Sequence, residues 1–195
     1  MSTFPPVPHG ARTRKGMHPL AIVAIVIAAG IGFVAVIGII AAIAIPALLR
    51  SRASANEASA IGSLRSIAAA QAVYSSDCGA GSYAPTLEVL GQPNPTRPGS
   101  TPYVNLDLAR PDPVEKSGYT FHLTGTPDPN TGPSCNGVRA GEGLRVWAVV
   151  ATPTQPGMTG TRFLAIDTSG TVFESQSPIT LSPEQTPLPP AQAVR

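Results

Sequence analysis

The segment Leu20–Leu49, LAIVAIVIAAGIGFVAVIGIIAAIAIPALL, contains no charged residue and decides the fold. Up to Ile45 a helix of this sequence would extend about 39 Å at ~1.5 Å per residue, which exceeds the ~30 Å hydrocarbon core of a bilayer. Pro19 lies where a first helical turn tolerates proline, whereas Pro46 removes a hydrogen bond near the far end. The pattern predicts a transmembrane helix over residues 17–49. Hydrophobicity alone would be satisfied by an ordinary single-pass anchor.

Small residues recur along this segment and share helix faces. The first three lie four residues apart, and two further ones extend a second stripe. Small residues allow the backbones of neighbouring membrane helices to approach closely, so we predict helix–helix assembly here. The alternative is that membrane helices are rich in Ala and Gly whatever they contact. The candidate assembly positions are Ala24, Ala28, Gly32, Gly38, Ala42 and Pro46.

The helix is predicted to continue over residues 50–76. This stretch lacks proline and repeats apolar residues at three- and four-residue steps, which is typical of an amphipathic helix that packs on a sheet. We expect another backbone to approach Gly62 closely, because a helical glycine costs about 1 kcal/mol relative to alanine. The predicted apolar face comprises Ile61, Leu64, Ile67 or Ala68, Ala72 and Tyr74. The predicted polar face comprises Arg52, Asn56, Ser59, Ser63 and Ser66.

The middle of the chain indicates a loop followed by a sheet. Residues 77–117 are rich in Pro and Gly and predict a mostly irregular loop. Residues 118–175 predict the sheet. Within it, Gly118–Thr124 alternates apolar and polar residues, Leu144–Thr152 is typical of a central strand, and Thr161–Ser175 predicts a hairpin.

The end of the chain differs in composition from the sheet. Residues 176–195 contain several prolines and few large apolar residues, so we predict a disordered tail. Residues 50–175 are long enough for one small domain. The fold class predicted is α+β, with one long N-terminal helix packed on a three- or four-stranded antiparallel sheet.

Composition narrows the functional classes. Charged residues make up 12% of the 195 residues and the net charge is +2. Lys and Arg are scattered along the chain. A protein that binds nucleic acid usually presents a concentrated basic surface, so we predict no nucleic-acid partner.

The charges beside the apolar segment predict its orientation. Residues 1–16 form a polar leader that ends in the basic run Arg12–Gly16, whereas the other flank carries Arg50 and Arg52. Basic residues favour the cytoplasmic side, so we expect a cytoplasmic leader and an extracytoplasmic domain.

Residues that carry chemistry are sparse. His9, His18 and His122 have no metal-ligand spacing to Cys, Asp or Glu. Asp107 and Asp167 are possible acids, but Asp167 precedes Ser-Gly and is better explained by hydrogen bonds within its own turn. The serines of the predicted helix have no nearby base. We therefore predict no catalytic residue, no cofactor, no metal site and no enzyme activity.

Two cysteines, Cys78 and Cys135, occur in the chain. Thiols in an oxidising compartment outside the cytoplasm usually pair, so we predict a disulfide between them. The alternative is two free thiols in a cytoplasmic domain, which would also reverse the predicted orientation.

The block Ile37–Arg52, IGIIAAIAIPALLRSR, closely resembles the middle of the N-terminal helix of type IV pilins and pseudopilins. In that family a Gly, an Ala-rich run and a Pro precede a polar helical extension. A looser resemblance continues through Asn56–Ile61, Gly118–Phe121 and Asp167–Gly170. The resemblance implies the pilin layout of helix and sheet.

The beginning of the chain departs from the family pattern. Family members usually start their mature helix with Phe-Thr-Leu-Ile-Glu after a glycine, and the register of Pro46 places Ala29 where that glutamate would be. Gly16 followed by Met17, directly after basic residues, resembles the cleavage context of a prepilin peptidase. A cut there would place Ala21 at the glutamate position.

The resemblance implies a function in assembly. The chain would be a structural subunit of a type IV pilus or of a type II secretion-like pseudopilus, held in the bacterial inner membrane before assembly. Its partners would be copies of itself or other pilins, inner membrane lipid, a prepilin peptidase and a pilus assembly platform. The alternative is a permanently anchored, pilin-like binding domain that does not polymerise.

Overall fold

The structure is a computed structural model that describes residues 19–194, apart from the side chains of residues 21, 24 and 29. Helix α1, Pro19–Asp77, has 59 residues and includes Pro46. The chain divides into two compact units, one ending at Pro46 and the other beginning at Ala47. The predicted long N-terminal helix is therefore present as α1, and it runs through both units.

The second unit contains one antiparallel sheet of six strands, in which each strand pairs with the next along the chain. The strands are β1 Val114–Lys116, β2 Tyr119–Pro127, β3 Leu144–Pro153, β4 Phe163–Asp167, β5 Val172–Ser175 and β6 Gln192–Ala193. A short helix, α2 (Leu87–Leu90), is capped by the Thr86 hydroxyl in the predicted loop region. The α+β class is confirmed. The structure has more strands than the three or four predicted. The edge strands β1 and β6 have only three and two residues, which is too short for a recognisable strand pattern in the sequence.

The alternating pattern of β2 is confirmed. Tyr119, Phe121 and Leu123 are buried and His122 is exposed. Phe121 lies opposite Ala151 of β3. Side chains directly opposite in a pair point to the same face, so this apolar face continues across the sheet.

The core joins this face to the second half of α1. Leu64, Ile67 and Tyr74 of α1 are buried in one cluster with Phe121 and Ile166. Burying a large apolar side chain contributes roughly 1.5–3 kcal/mol, so these contacts provide much of the stability of the second unit.

The buried face of α1 is more polar than the three- and four-residue spacing of apolar residues predicts. Ser63, predicted on the polar face, is buried, whereas Ala72, predicted on the apolar face, is exposed. Gln71 is fully buried, and its side-chain amide donates to the Ala84 carbonyl (3.0 Å) and accepts from the Ala84 N–H (2.8 Å). The loop backbone at Ala84 thus satisfies the hydrogen bonds of the buried Gln71 side chain. The buried face of α1 therefore includes Gln71 and does not coincide with the predicted apolar stripe.

The predicted disordered tail is ordered in the structure as a C-terminal strap, residues 176–194. The Thr124 hydroxyl of β2 donates to the Gln185 side chain (2.6 Å), and the Val194 N–H donates to the Val172 carbonyl (2.8 Å) as the strap returns beside β5. Ala148, opposite Thr124, and Ala165 are fully buried on this outer face. Small residues on the outer face give the strap a surface to pack on and threonine hydroxyls hydrogen-bond to it, although its own sequence has no strand periodicity.

Gly62 tests the prediction of a close backbone approach. It is exposed, and a Cβ placed there would have no atom within 4 Å. No such approach therefore occurs among the described residues of one chain.

We expect Gly62→Ala to raise the free energy of unfolding by about 1 kcal/mol, because alanine lowers the entropic cost of the helix and meets no clash. Urea denaturation of both proteins measures the change. Gly91→Ala is the matched control. A Cβ there would overlap the Ala109 side chain, so this variant should be less stable. A destabilised Gly62→Ala protein would contradict the prediction.

Candidate functional site

The first candidate site is the apolar surface of α1. The helix is long and apolar enough to cross a membrane, and none of its most apolar stretch is buried. Every large apolar side chain from Leu20 to Leu49 is exposed, with exposed fractions between 46% at Leu49 and 73% at Leu20. A continuous apolar surface of this size is unstable in water, so lipid or protein must cover it.

The small positions of this surface are open. Ala28, Gly32, Gly38 and Ala42 are exposed, and a Cβ at either glycine would have no atom within 4 Å. Pro46 is also exposed within α1. The Ala24 side chain and the cleavage candidates Gly16 and Met17 lie outside the described residues. Helix assembly through these positions stays a prediction.

The predicted disulfide is confirmed. Cys78 and Cys135 are bonded, with Cα atoms 4.9 Å apart and a sequence separation of 57. The Cys135 N–H also donates to the Cys78 carbonyl (2.9 Å). The bond ties the segment just after α1 to the long loop between β2 and β3.

A polar cluster that we name the helix–sheet clamp joins α1 to the strands near the start of the second unit. It consists of Glu57, Thr161, Arg162 and Glu174. Glu57 is 6% exposed and accepts hydrogen bonds from the Thr161 N–H (2.7 Å), the Thr161 hydroxyl (2.8 Å) and Arg162 Nε (2.9 Å). Arg162 Nη1 pairs with the Glu174 carboxylate at 2.5 Å.

The clamp is electrostatically satisfied. Burial acts most strongly on Glu57 and raises its pKa, but the donors on Thr161 and the charge of Arg162 together lower the pKa below its ordinary value. Burial lowers the pKa of Arg162, and its two carboxylate partners reverse this effect and raise it. Glu57 is thus a fully bonded anion, suited to holding two elements together and poorly suited to proton transfer.

The role of Glu57 was not predicted from the sequence. The residue is the only acidic one between Ala47 and Ser76, and this isolation is the signal that could have identified it. Its partners lie 104 and 105 residues away in the chain, so no local pattern connects them.

A groove of about 480 Å³ lies between α1 and the proline-rich loop. Asp77 at its edge pairs with Arg97 (2.7 Å) and accepts a hydrogen bond from the Tyr103 hydroxyl (2.7 Å). Hydrogen bonds from Asn94 and Tyr103 lower the pKa of Asp77. These contacts hold the loop against the helix end.

The remaining candidates for chemistry have structural partners. Asp167 accepts from the Ser169 N–H (3.0 Å), which confirms the predicted turn bonding. Asp107 lies 3.9 Å from the Lys116 amine, and exposed His122 contacts the Asp112 carboxylate. Within residues 19–194, no group of three or more His, Cys, Asp or Glu side chains could hold a metal ion.

Comparison of the chain with protein-family models, with curated proteins and with solved structures finds no match. The exposed apolar surface of α1 is therefore the main structural indication of function.

Proposed function

We propose that the chain is a pilin-like subunit of a type IV pilus or of a type II secretion-like pseudopilus. The observation that carries the proposal is that α1 exposes an uncharged apolar surface from Leu20 to Leu49, while the second unit completes a core of its own. The first half of the helix therefore needs lipid before assembly and other subunits after it. The resemblance of Ile37–Arg52 to the pilin helix supports the same function.

Assembly requires a surface that suits both environments. In lipid the apolar side chains are solvated by acyl chains, and in a filament core they would pack against the same residues of neighbouring subunits. Exposed Gly32 and Gly38 leave room for close helix contacts there. The basic leader must be removed first, because each charge in an apolar core would cost several kcal/mol.

A permanently anchored, non-polymerising domain is the alternative. It is favoured by Ala29, which stands where the pilin family carries a glutamate. In that family the carboxylate pairs with the amino terminus of a neighbouring subunit and sets the register. Without it, assembly would depend on apolar packing alone.

Intact mass together with crosslinking tests the proposal. We expect protein sheared from the cell surface to begin at Met17, and we expect crosslinks between subunits. Gly32→Leu should preserve membrane insertion and reduce crosslinking about tenfold, because a loss of ~1.4 kcal/mol in helix packing has that effect.

Ile31→Leu is the matched control, because it changes the adjacent exposed residue without filling the small stripe. Crosslinking of this variant should equal that of the unmodified protein. If only full-length protein is found, and only in membranes, the permanently anchored alternative replaces the filament.

A further inference from the structure

A groove of about 280 Å³ opens in the second unit close to the point where the uncharged segment ends. Leu49, Arg50 and Ala53 of α1 line one side of it. Gly157 and Thr161, from the loop between β3 and β4, line the other. The loop thus reaches back along α1 as far as the last residue of the uncharged segment.

Hydrogen bonds fix the backbone of this loop. The Gly157 N–H donates to the Gly160 carbonyl (2.8 Å), and the Met158 N–H donates to the Gln155 carbonyl (3.0 Å). The Asn56 side chain donates to the Thr159 carbonyl (2.9 Å), which ties the loop to α1. Met158 is nevertheless 61% exposed. The loop therefore holds a large apolar side chain in solvent in a defined position.

The stretch of α1 that contains the groove residues Leu49 and Arg50 combines apolar and basic side chains. Leu48 and Leu49 are 54% and 46% exposed. Arg50 and Arg52 are exposed, and neither has an ion-pair partner among residues 19–194. The carboxylate of Glu57, which also lines the groove, is neutralised within the clamp. The surface is therefore apolar with a positive rim.

We propose that a surface, named the interfacial surface and formed by Leu48, Leu49, Arg50 and Arg52 of α1 together with the loop that carries Met158, binds the headgroup layer of the bilayer. Met158 inserts at the boundary of the acyl chains while the two arginines contact anionic phosphate groups. The inference needs only the membrane anchor, so it stands whether or not the chain forms a filament.

Position and charge together identify a bilayer as the partner. Asn56, which anchors the loop, lies seven residues beyond Leu49, or about 10 Å along α1. Interfacial segments bury their apolar face roughly 5–10 Å into the boundary of headgroups and acyl chains. In sequence, Leu48 and Leu49 are the last apolar residues of the uncharged segment and the two arginines follow directly; arginines attract anionic lipid.

Tryptophan quenching by lipids with brominated acyl chains tests the proposal. Met158→Trp adds one exposed reporter to the buried Trp147, which is 2% exposed. The full chain is placed in phosphatidylcholine vesicles with or without phosphatidylglycerol. Val73→Trp is the control, since Val73 is 53% exposed and lies about 36 Å along α1 from Leu49.

We expect brominated lipid to reduce the Met158→Trp emission at least about twice as strongly as the Val73→Trp emission, because only the first reporter enters the interface. Phosphatidylglycerol should increase this quenching, and Arg50→Gln/Arg52→Gln should remove the increase. Equal quenching of the two reporters would overturn the proposal. A blue shift without quenching would also overturn it, because it would indicate contact with another protein copy. Quenching unaffected by phosphatidylglycerol would overturn the role of the arginines.

Discussion

Replacing both cysteines, Cys78→Ala with Cys135→Ala, is expected to lower the free energy of unfolding of the second unit by about 4 kcal/mol. The bond closes a sequence separation of 57 residues, so its loss frees a long loop in the unfolded chain. Alanine is preferable to serine at Cys78, which is 5% exposed, because a hydroxyl there would need a partner. Urea denaturation followed by far-ultraviolet circular dichroism measures the difference.

Chemical reduction provides the control for this experiment. A reductant should destabilise the unmodified protein to the level of the double variant and leave the double variant unchanged. Thiol labelling of the unmodified protein under denaturing, non-reducing conditions should find no reactive cysteine. Two labelled thiols would contradict both the bond and the extracytoplasmic orientation proposed for this unit.

Glu57→Ala is expected to lower the free energy of unfolding by about 3 kcal/mol, the lower end of the range for breaking a buried ion pair. The variant leaves the Thr161 N–H without its acceptor and removes one of the two anions beside Arg162. The Arg162 side chain is 31% exposed, so water partly compensates it and the upper end of the range is not expected. Glu115→Ala is the matched control, because this glutamate is exposed on β1.

Denaturant titrations of the three proteins decide this prediction. The control should lie within about 0.5 kcal/mol of the unmodified protein. Equal stability of Glu57→Ala and Glu115→Ala would show that the clamp contributes nothing to stability.

The same carboxylate gives a pH dependence whose sign follows from its pKa. Its folded-state pKa lies below the ordinary value of 4.5, so the unfolded state binds a proton more readily. Its contribution to stability is complete above that ordinary value and is lost as the pH falls through the folded-state pKa. Glu57→Gln should remove this part of the acid dependence. The difference in stability between the two proteins should therefore narrow as the pH is lowered.

The interfacial surface and the filament would occupy different parts of the chain. Gly32 and Gly38 lie in the first unit, whereas Arg50 and Met158 lie in the second. A subunit could therefore contact lipid through its domain before assembly. The tryptophan experiment uses vesicles and the crosslinking experiment uses cells, so failure of one does not imply failure of the other.

Several features followed from local patterns in the sequence. The uncharged segment Leu20–Leu49 predicted a transmembrane helix, because within a bilayer a single segment satisfies its backbone only as a helix. The structure contains a helix there, and its large apolar side chains are exposed. The alternation in Tyr119–Leu123 predicted one buried face of a strand. Two cysteines allowed one pairing, and the structure contains it.

Other features depended on contacts between distant parts of the chain. The strap has no periodicity of its own, and its order comes from Thr124 and Val172, which lie in strands formed elsewhere. One of the strands that was not predicted, β6, has the same cause, since it exists only where the strap returns beside β5.

The sequence by itself determined the apolar half of α1, the alternating strand and the disulfide. The first two follow from the local pattern of apolar residues, and the disulfide follows because the chain has two cysteines and so one possible pair. Only the tertiary structure decided which face of the second half of α1 is buried. Glu57, Ser63 and Gln71 lie on that face because loops and strands surround it there. The backbone next to Glu57 and the backbone next to Gln71 also supply hydrogen-bond partners for these two side chains. A polar residue is inexpensive to bury only where such partners exist, and their positions are set by the fold of the whole domain.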